Sequence, residues 1–306
     1  MGIDGFLLGV LETAGRPVDM RDFAFGNDEE VRSHKRSRRK YRIGVDLTSL
    51  VLKAASEFGD MLGDEQRLTK YGRTQFVKND EKTQDFIAQC SEFVMKRLKR
   101  LRNDSDSDLL VVFEGQTPPI KAKEAARRRD IRSVSDQSGG FQVQATNDDD
   151  RIEAMYYNRQ PTAGAFEHFG SIILDLVDSM EEANFEYLVA PYEANSQLAF
   201  MSSRGIIDLI ISEDSDLMVH GAKAVIYNYI SGDGSPDKGR LLQFEDIGAA
   251  QGKFDLSDFS PVMMGILNIS IGGGCCERLG GMGLETAVNI VRQAFFGGHA
   301  SPLDTT

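Results

Sequence analysis

"IIDLIISEDSDLMVHG" spans residues 206–221 and sets an apolar run directly against Glu213, Asp214 and Asp216. Carboxylates that close repel one another, and each loses hydration free energy when it leaves water. Two arrangements relieve this. Asp favours the first turn of a helix, so the acids can cap one. Alternatively, they can ligate a divalent cation, which requires hard oxygen ligands. This stretch alone leaves both open.

Its neighbours narrow the choice. Short apolar runs recur along the chain, each followed by a helical pattern: "YRIGVD" runs into "LTSLVLKAASEF", and "DLLVVFEG" precedes a basic segment, "KAKEAARRRDIR". "FEYLVAPYEAN" leads into "SQLAFMSSRG", and the opening stretch is followed by a further β-rich run, "AKAVIYNYI". Alternating β and α segments with continuous apolar strands imply an α/β fold, a parallel sheet covered on both faces. Four strands then end in acids: Asp46, Glu114, Glu193 and the Asp214/Asp216 pair. Open parallel sheets form ligand sites at the carboxyl ends of their strands. Acids gathered there need a counter-charge. A cluster of Asp and Glu without His or Cys suits Mg²⁺ or Mn²⁺ rather than zinc. The joint pattern favours the metal site.

The 306 residues, 41% of them hydrophobic, suffice for one large or two modest domains. No apolar stretch approaches the roughly 18–20 residues that span a bilayer. The acidic "MGIDGFLLGVLETAG" lacks a basic leader, so no targeting peptide is expected. Three cysteines, Cys90, Cys275 and Cys276, form no CxxC or zinc spacing, which favours a reducing, intracellular setting. The four histidines show no ligand spacing. A net charge of −12 argues against general adhesion to nucleic acid, yet positive charge is concentrated in "RSHKRSRRKYR" at 32–42 and in the segment at 121–132. The first of these reads as a solvated loop, a nuclear-localisation signal or a phosphate-binding patch. Pro118 and Pro119 stand where a helix starts, residues 133–152 are polar and Gly/Ser/Asp-rich, and "SGDGSPDKG" at 231–239 is a turn cluster.

"MGIDGFL", "GVD" at 44–46, "VVFEG" at 111–115, "APYEANSQLAF" at 190–200 and "ISEDSDLMVHG" at 211–221 resemble, in order, the blocks of the XPG/flap endonuclease family of structure-specific 5′ nucleases. The resemblance is nearest to the exonuclease 1 branch. It implies a PIN-like sheet flanked by helices, a helical arch and a partial helix–two-turn–helix. Residues 1–132 would form the N-terminal nuclease region, with an insertion at 23–42 and the arch helix at 118–132. A connection at 133–165 follows, then an internal region at 166–300 with the helix–two-turn–helix at 262–296. The implied activity is metal-dependent hydrolysis of DNA phosphodiester bonds, as a 5′–3′ exonuclease or flap endonuclease in replication or repair. Asp46, Glu114, Glu193, Asp214 and Asp216 would hold Mg²⁺, with Mn²⁺ as the alternative. Lys121 and Arg128 of the arch would act on the scissile phosphate, and the N-terminus at Gly2 would lie near the junction. Gly281 and Gly283 of "RLGGMGLETA" would grip duplex phosphates with K⁺. The implied partner is DNA with 5′ ends, flaps or nicks, bound by a nuclear monomer with no membrane association.

Three positions depart from the family pattern. Glu114 stands where the second strand usually ends in Asp, and neutral Asn195 replaces the second acid of the "YEA" block. Gly274, in "IGGGCCERL", stands where an Asp ligand belongs. The missing acids support the alternative expectation of a catalytically weakened scaffold that binds nucleic acid or protein. The chain also ends soon after the glycine turn, so an incomplete duplex-binding region is expected.

Overall fold

The computed structural model describes residues 14–23, 40–62, 68–70, 73–75, 80–121, 168–230, 237–249, 256–272 and 282–297. In chain order the strands are β1 (Arg16–Asp19), β2 (Arg42–Asp46), β3 (Leu68–Lys70), β4 (Arg73–Gln75), β5 (Asp108–Phe113), β6 (Glu186–Val189), β7 (Leu209–Ile211), β8 (Ala224–Ile230) and β9 (Lys238–Gln243). The α-helices are α1 (Leu47–Phe58), α2 (Asp80–Ser105), α3 (Phe169–Glu182), α4 (Ala194–Ser203), α5 (Asp216–Val219), α6 (Pro261–Ser270) and α7 (Leu284–Phe296).

Apolar runs explain the strands. β5 reads DLLVVF and is buried from Leu109 onward. Leu109, Val111 and Phe113 join one core, while Leu110 and Val112 join the other. A strand buried on both faces needs no polar alternation. The helices carry their own signal. Leu47, Leu50, Val51, Ala54 and Ala55 are the buried positions of α1, the spacing of one apolar stripe. With α2 and α3, that stripe covers one face of the sheet. On the other face lie α4, α6 and α7, around the fully buried Tyr227.

Seven strands form one sheet in the order β1-β9-β8-β7-β2-β5-β6, and β3 and β4 make a separate ribbon. The pairs β2·β5, β2·β7, β5·β6 and β7·β8 are parallel, as expected from the apolar runs. The sheet is nevertheless mixed, because β9 returns antiparallel beside β8 and carries β1 antiparallel on its far side. The turn cluster at 231–239 is the reason: a short connection reverses the chain, whereas a parallel return needs a crossover.

From β2 the chain winds through β5 and β6, then returns to place β7 on the opposite side of β2. Open α/β sheets bind ligands at such a reversal, outside the carboxyl ends of the strands. Gly44 lets α4 sit close over β2: a Cβ there would lie 2.6 Å from Leu198 and 2.7 Å from Ile207. Gly115, just after β5, approaches the β6–α4 loop so closely that a Cβ would meet the Ala190 carbonyl oxygen at 1.9 Å.

Of the arch, only the 3-10 turn Pro119–Lys121 is described, so the expected helix beyond it and the connection at 133–165 lie outside the described residues. Helices α6 and α7 pack together, while the glycine turn between them, with Gly274 and Gly281, lies outside as well. Most of the insertion expected at 23–42, and residues 1–13 with Gly2, fall in the same category.

Candidate metal centre at the strand ends

Asp46 is the last residue of β2 and the residue before α1. It is 5% exposed, and its Oδ2 accepts hydrogen bonds from Ser49 Oγ and Ser212 Oγ, both at 2.7 Å. Its Oδ1 is buried without a partner. Burial pushes this carboxyl above the usual range, against the pull of the two hydroxyls.

Glu114 follows β5. Its Oε2 accepts the Ala194 N–H at 2.9 Å, so a carboxylate from one strand caps the helix that follows the next. The side chain has an exposed face, yet its carboxyl is pushed up to about 7, mainly by lost hydration, with Asp46 and Glu193 adding repulsion. Glu193 precedes α4 but makes no cap of its own. Instead, Lys121 Nζ lies 2.7 Å from Glu193 Oε1 and 2.9 Å from Oε2, with Asp216 Oδ2 at 3.9 Å.

The three acids of the opening stretch separate. Glu213 turns away: Lys53 Nζ binds its Oε1 at 2.6 Å, and the Asn228 N–H reaches its Oε2 at 3.1 Å. Asp214 Oδ1 accepts the Asp216 N–H at 3.0 Å, a side-chain turn that leads into α5. Its Oδ2 accepts Asn195 Nδ2 at 3.0 Å. Asp216 is 3% exposed, with Oδ1 unpartnered. Burial first and Asp214 second push its carboxyl up to about 7. The segment thus combines a local side-chain turn at Asp214 with a buried carboxyl at Asp216.

Asn195 occupies its place as a donor. Its Oδ1 accepts the Ser196 N–H at 2.7 Å, which fixes the amide orientation and aims Nδ2 at Asp214. His220, unassigned from sequence, lies beside the cleft with Nδ1 3.1 Å from Ser196 Oγ, and burial pushes its imidazole below the usual range. Ser49, Ser212 and Lys53 were also missed. Ser212 stands next to the acids in sequence, but no spacing rule links it to Asp46 166 residues away.

The structure thus brings together Asp46, Glu114, Glu193, Asp214, Asp216 and Lys121. Arg128, Gly2 and Gly281 lie outside the described residues, and Gly283 precedes α7 with open space at its Cα. Among the described residues, no three Asp, Glu, His or Cys side chains are close enough to hold an ion as they stand. The donor set nonetheless fits one: every candidate is a hard oxygen, and two buried carboxylate oxygens lack any partner. Lys121 makes ionic contacts with both Glu193 and Asp216.

A mixed α/β sheet with acids gathered at its switch point is the PIN-like arrangement that the sequence led us to expect. Residues 184–267 match the family model described as the XPG I-region. It is similar to exonuclease 1 of Drosophila melanogaster, 27% identical over 224 residues, covering 72% of this chain and 28% of that protein. With exonuclease 1 of Arabidopsis thaliana it shares 30% identity over 200 residues, or 64% of this chain and 25% of that one. The chain therefore spans little more than a quarter of these relatives. Among solved structures, the catalytic core of Rad2 in complex with DNA substrate superposes with a TM-score of 0.57 at 18% identity, covering 97% of this chain and 69% of that one. The junction-resolving enzyme GEN-1 with potassium gives 0.51 at 17%, covering 96% and 51%. At these identities the two structures speak for the fold.

Proposed function

We propose that this chain is a metal-dependent 5′ nuclease that hydrolyses DNA phosphodiester bonds, as a 5′–3′ exonuclease or flap endonuclease in replication or repair. One observation carries the reading: acids from four strand ends meet at the switch point and leave two buried carboxylate oxygens, Asp46 Oδ1 and Asp216 Oδ1, without a partner. Buried charges are normally paired or bound to metal. Asp46, Glu114, Glu193, Asp214 and Asp216 are the residues that would hold Mg²⁺ or Mn²⁺. A divalent ion held there would supply Lewis-acid activation of water and charge stabilisation of the departing oxygen.

The protein's own parts follow from position. Ser49 and Ser212 orient Asp46, and Asn195 orients Asp214. Lys121, with Arg128 as its arch companion, neutralises a phosphate drawn into the cleft. A terminal amine at Gly2, and Gly281 and Gly283 with K⁺, complete the proposed DNA contacts. The proposed setting is a nuclear monomer acting on DNA with 5′ ends, flaps or nicks, and the regions expected at 1–132, 133–165 and 166–300 remain part of this reading.

Asn195 favours a second reading, a scaffold with weakened catalysis, because it removes a ligand charge from the cleft. Cleavage of a 5′-labelled flap duplex separates the two. The nuclease reading expects product with Mg²⁺, none with a chelator, and loss of at least a hundredfold in Asp214→Ala. Inert wild type on flap, nicked and blunt DNA would leave the scaffold.

A further inference from the structure

We propose that this cleft is built for one divalent cation rather than two, with the Lys121 ammonium supplying the second positive charge. The inference rests on the metal-dependent reading above. Lys121 Nζ straddles both oxygens of Glu193, at 2.7 and 2.9 Å, and faces Asp216 Oδ2 at 3.9 Å. Its side chain is only 12% exposed, unlike the usual lysine reaching into water.

The backbone holds it there. The Lys121 N–H closes the 3-10 turn on the Pro118 carbonyl at 2.9 Å. Upstream, the N–H groups of Gly115 and Gln116 bond the Tyr192 and Pro191 carbonyls at 2.6 and 3.3 Å. The loop that carries the lysine is thereby tied to the loop that carries Glu193.

The charge balance points the same way. At Asn195 the cleft has an amide that donates to Asp214, where an acid would have added negative charge. An ammonium between Glu193 and Asp216 repels a divalent ion on that side and competes for the same oxygens. Asp46 Oδ1 and Asp216 Oδ1 have no hydrogen-bond partner among the described residues, and the ammonium faces the other oxygen of Asp216.

The test counts ions, not turnover. Metal-free full chain is titrated with Mn²⁺ alone, and bound Mn²⁺ per chain is read by electron paramagnetic resonance and calorimetry. Wild type should bind one Mn²⁺, and Lys121→Met should bind two. Lys121→Arg, which keeps the charge, should bind one. Circular dichroism establishes that each variant is folded. Two ions in wild type, or a single ion in folded Lys121→Met, would overturn the inference. If Lys121→Met does not fold, the wild-type count still decides. A wild type that binds two ions and cleaves the flap leaves the nuclease reading standing without this one. No Mn²⁺ in any of the proteins overturns both.

Discussion

Asn195 shows how one side chain sets the charge of the cleft. Its Nδ2 lies 3.0 Å from Asp214 Oδ2, so replacing it with Asp would set oxygen against oxygen. Asn195→Asp should lower metal-free stability by about 1–3 kcal/mol, through a lost donor and an added like charge. Mg²⁺ should recover part of that loss. Urea unfolding with and without Mg²⁺ checks both. Asp216 makes a pH statement at the same scale. Its folded pKa, about 7, lies above that of an ordinary Asp, so the native state holds the proton more tightly. The contribution to stability is present in full below about pH 4 and is lost as pH rises towards 7. In chelator, wild type should therefore lose stability relative to Asp216→Asn between pH 5 and pH 7.5. A difference constant across that window would show that Asp216 does not titrate there.

The acids themselves were legible in the sequence because each ends a recognisable apolar run. Ser49, Ser212, Lys53 and His220 were not, since their partners are set by tertiary packing. Glu213 illustrates the limit: by sequence it belongs with Asp214 and Asp216, yet Lys53 holds it elsewhere.

At the scale of elements, two close approaches position the crevice. Gly44→Ala would drive a methyl into the side-chain tips of Leu198, on α4, and Ile207, both of which must move aside. Overpacking of this kind typically costs about 1–3 kcal/mol. Because α4 carries Asn195 and follows Glu193, Mg²⁺ affinity should fall along with stability. A second tie lies at the sheet edge. Asp237 is fully buried, accepts the Tyr229 hydroxyl, and has Arg100 Nε at 2.9 Å from its Oδ1 in an ionic contact outside hydrogen-bond alignment. Arg100→Ala leaves that charge under-compensated and should cost about 3–5 kcal/mol, read by thermal or urea unfolding. The parallel core was readable from the apolar strands. The antiparallel β8–β9–β1 edge was not, because a turn cluster states that the chain reverses but not which strand it joins.

For the whole molecule, topology accounts for the location of the site. β2 lies between β5 and β7, so Asp46 stands at the centre, with Glu114 and Asp214 following the strands on either side. Two cores, one per face, hold those strands in register while their ends stay open. Although the net charge is −12, a cation, Lys121, stands among these acids. The central claim is that Asp214 and Asp216, brought to this switch point, bind a divalent cation. It is tested most directly by the unfolding temperature of wild type and of Asp214→Ala/Asp216→Ala across a Mg²⁺ titration. Binding to the native state alone raises its stability. Wild type should gain several degrees with Mg²⁺, whereas the double variant should gain none and be at least as stable as wild type without metal. Equal Mg²⁺ shifts in the two proteins would contradict the assignment.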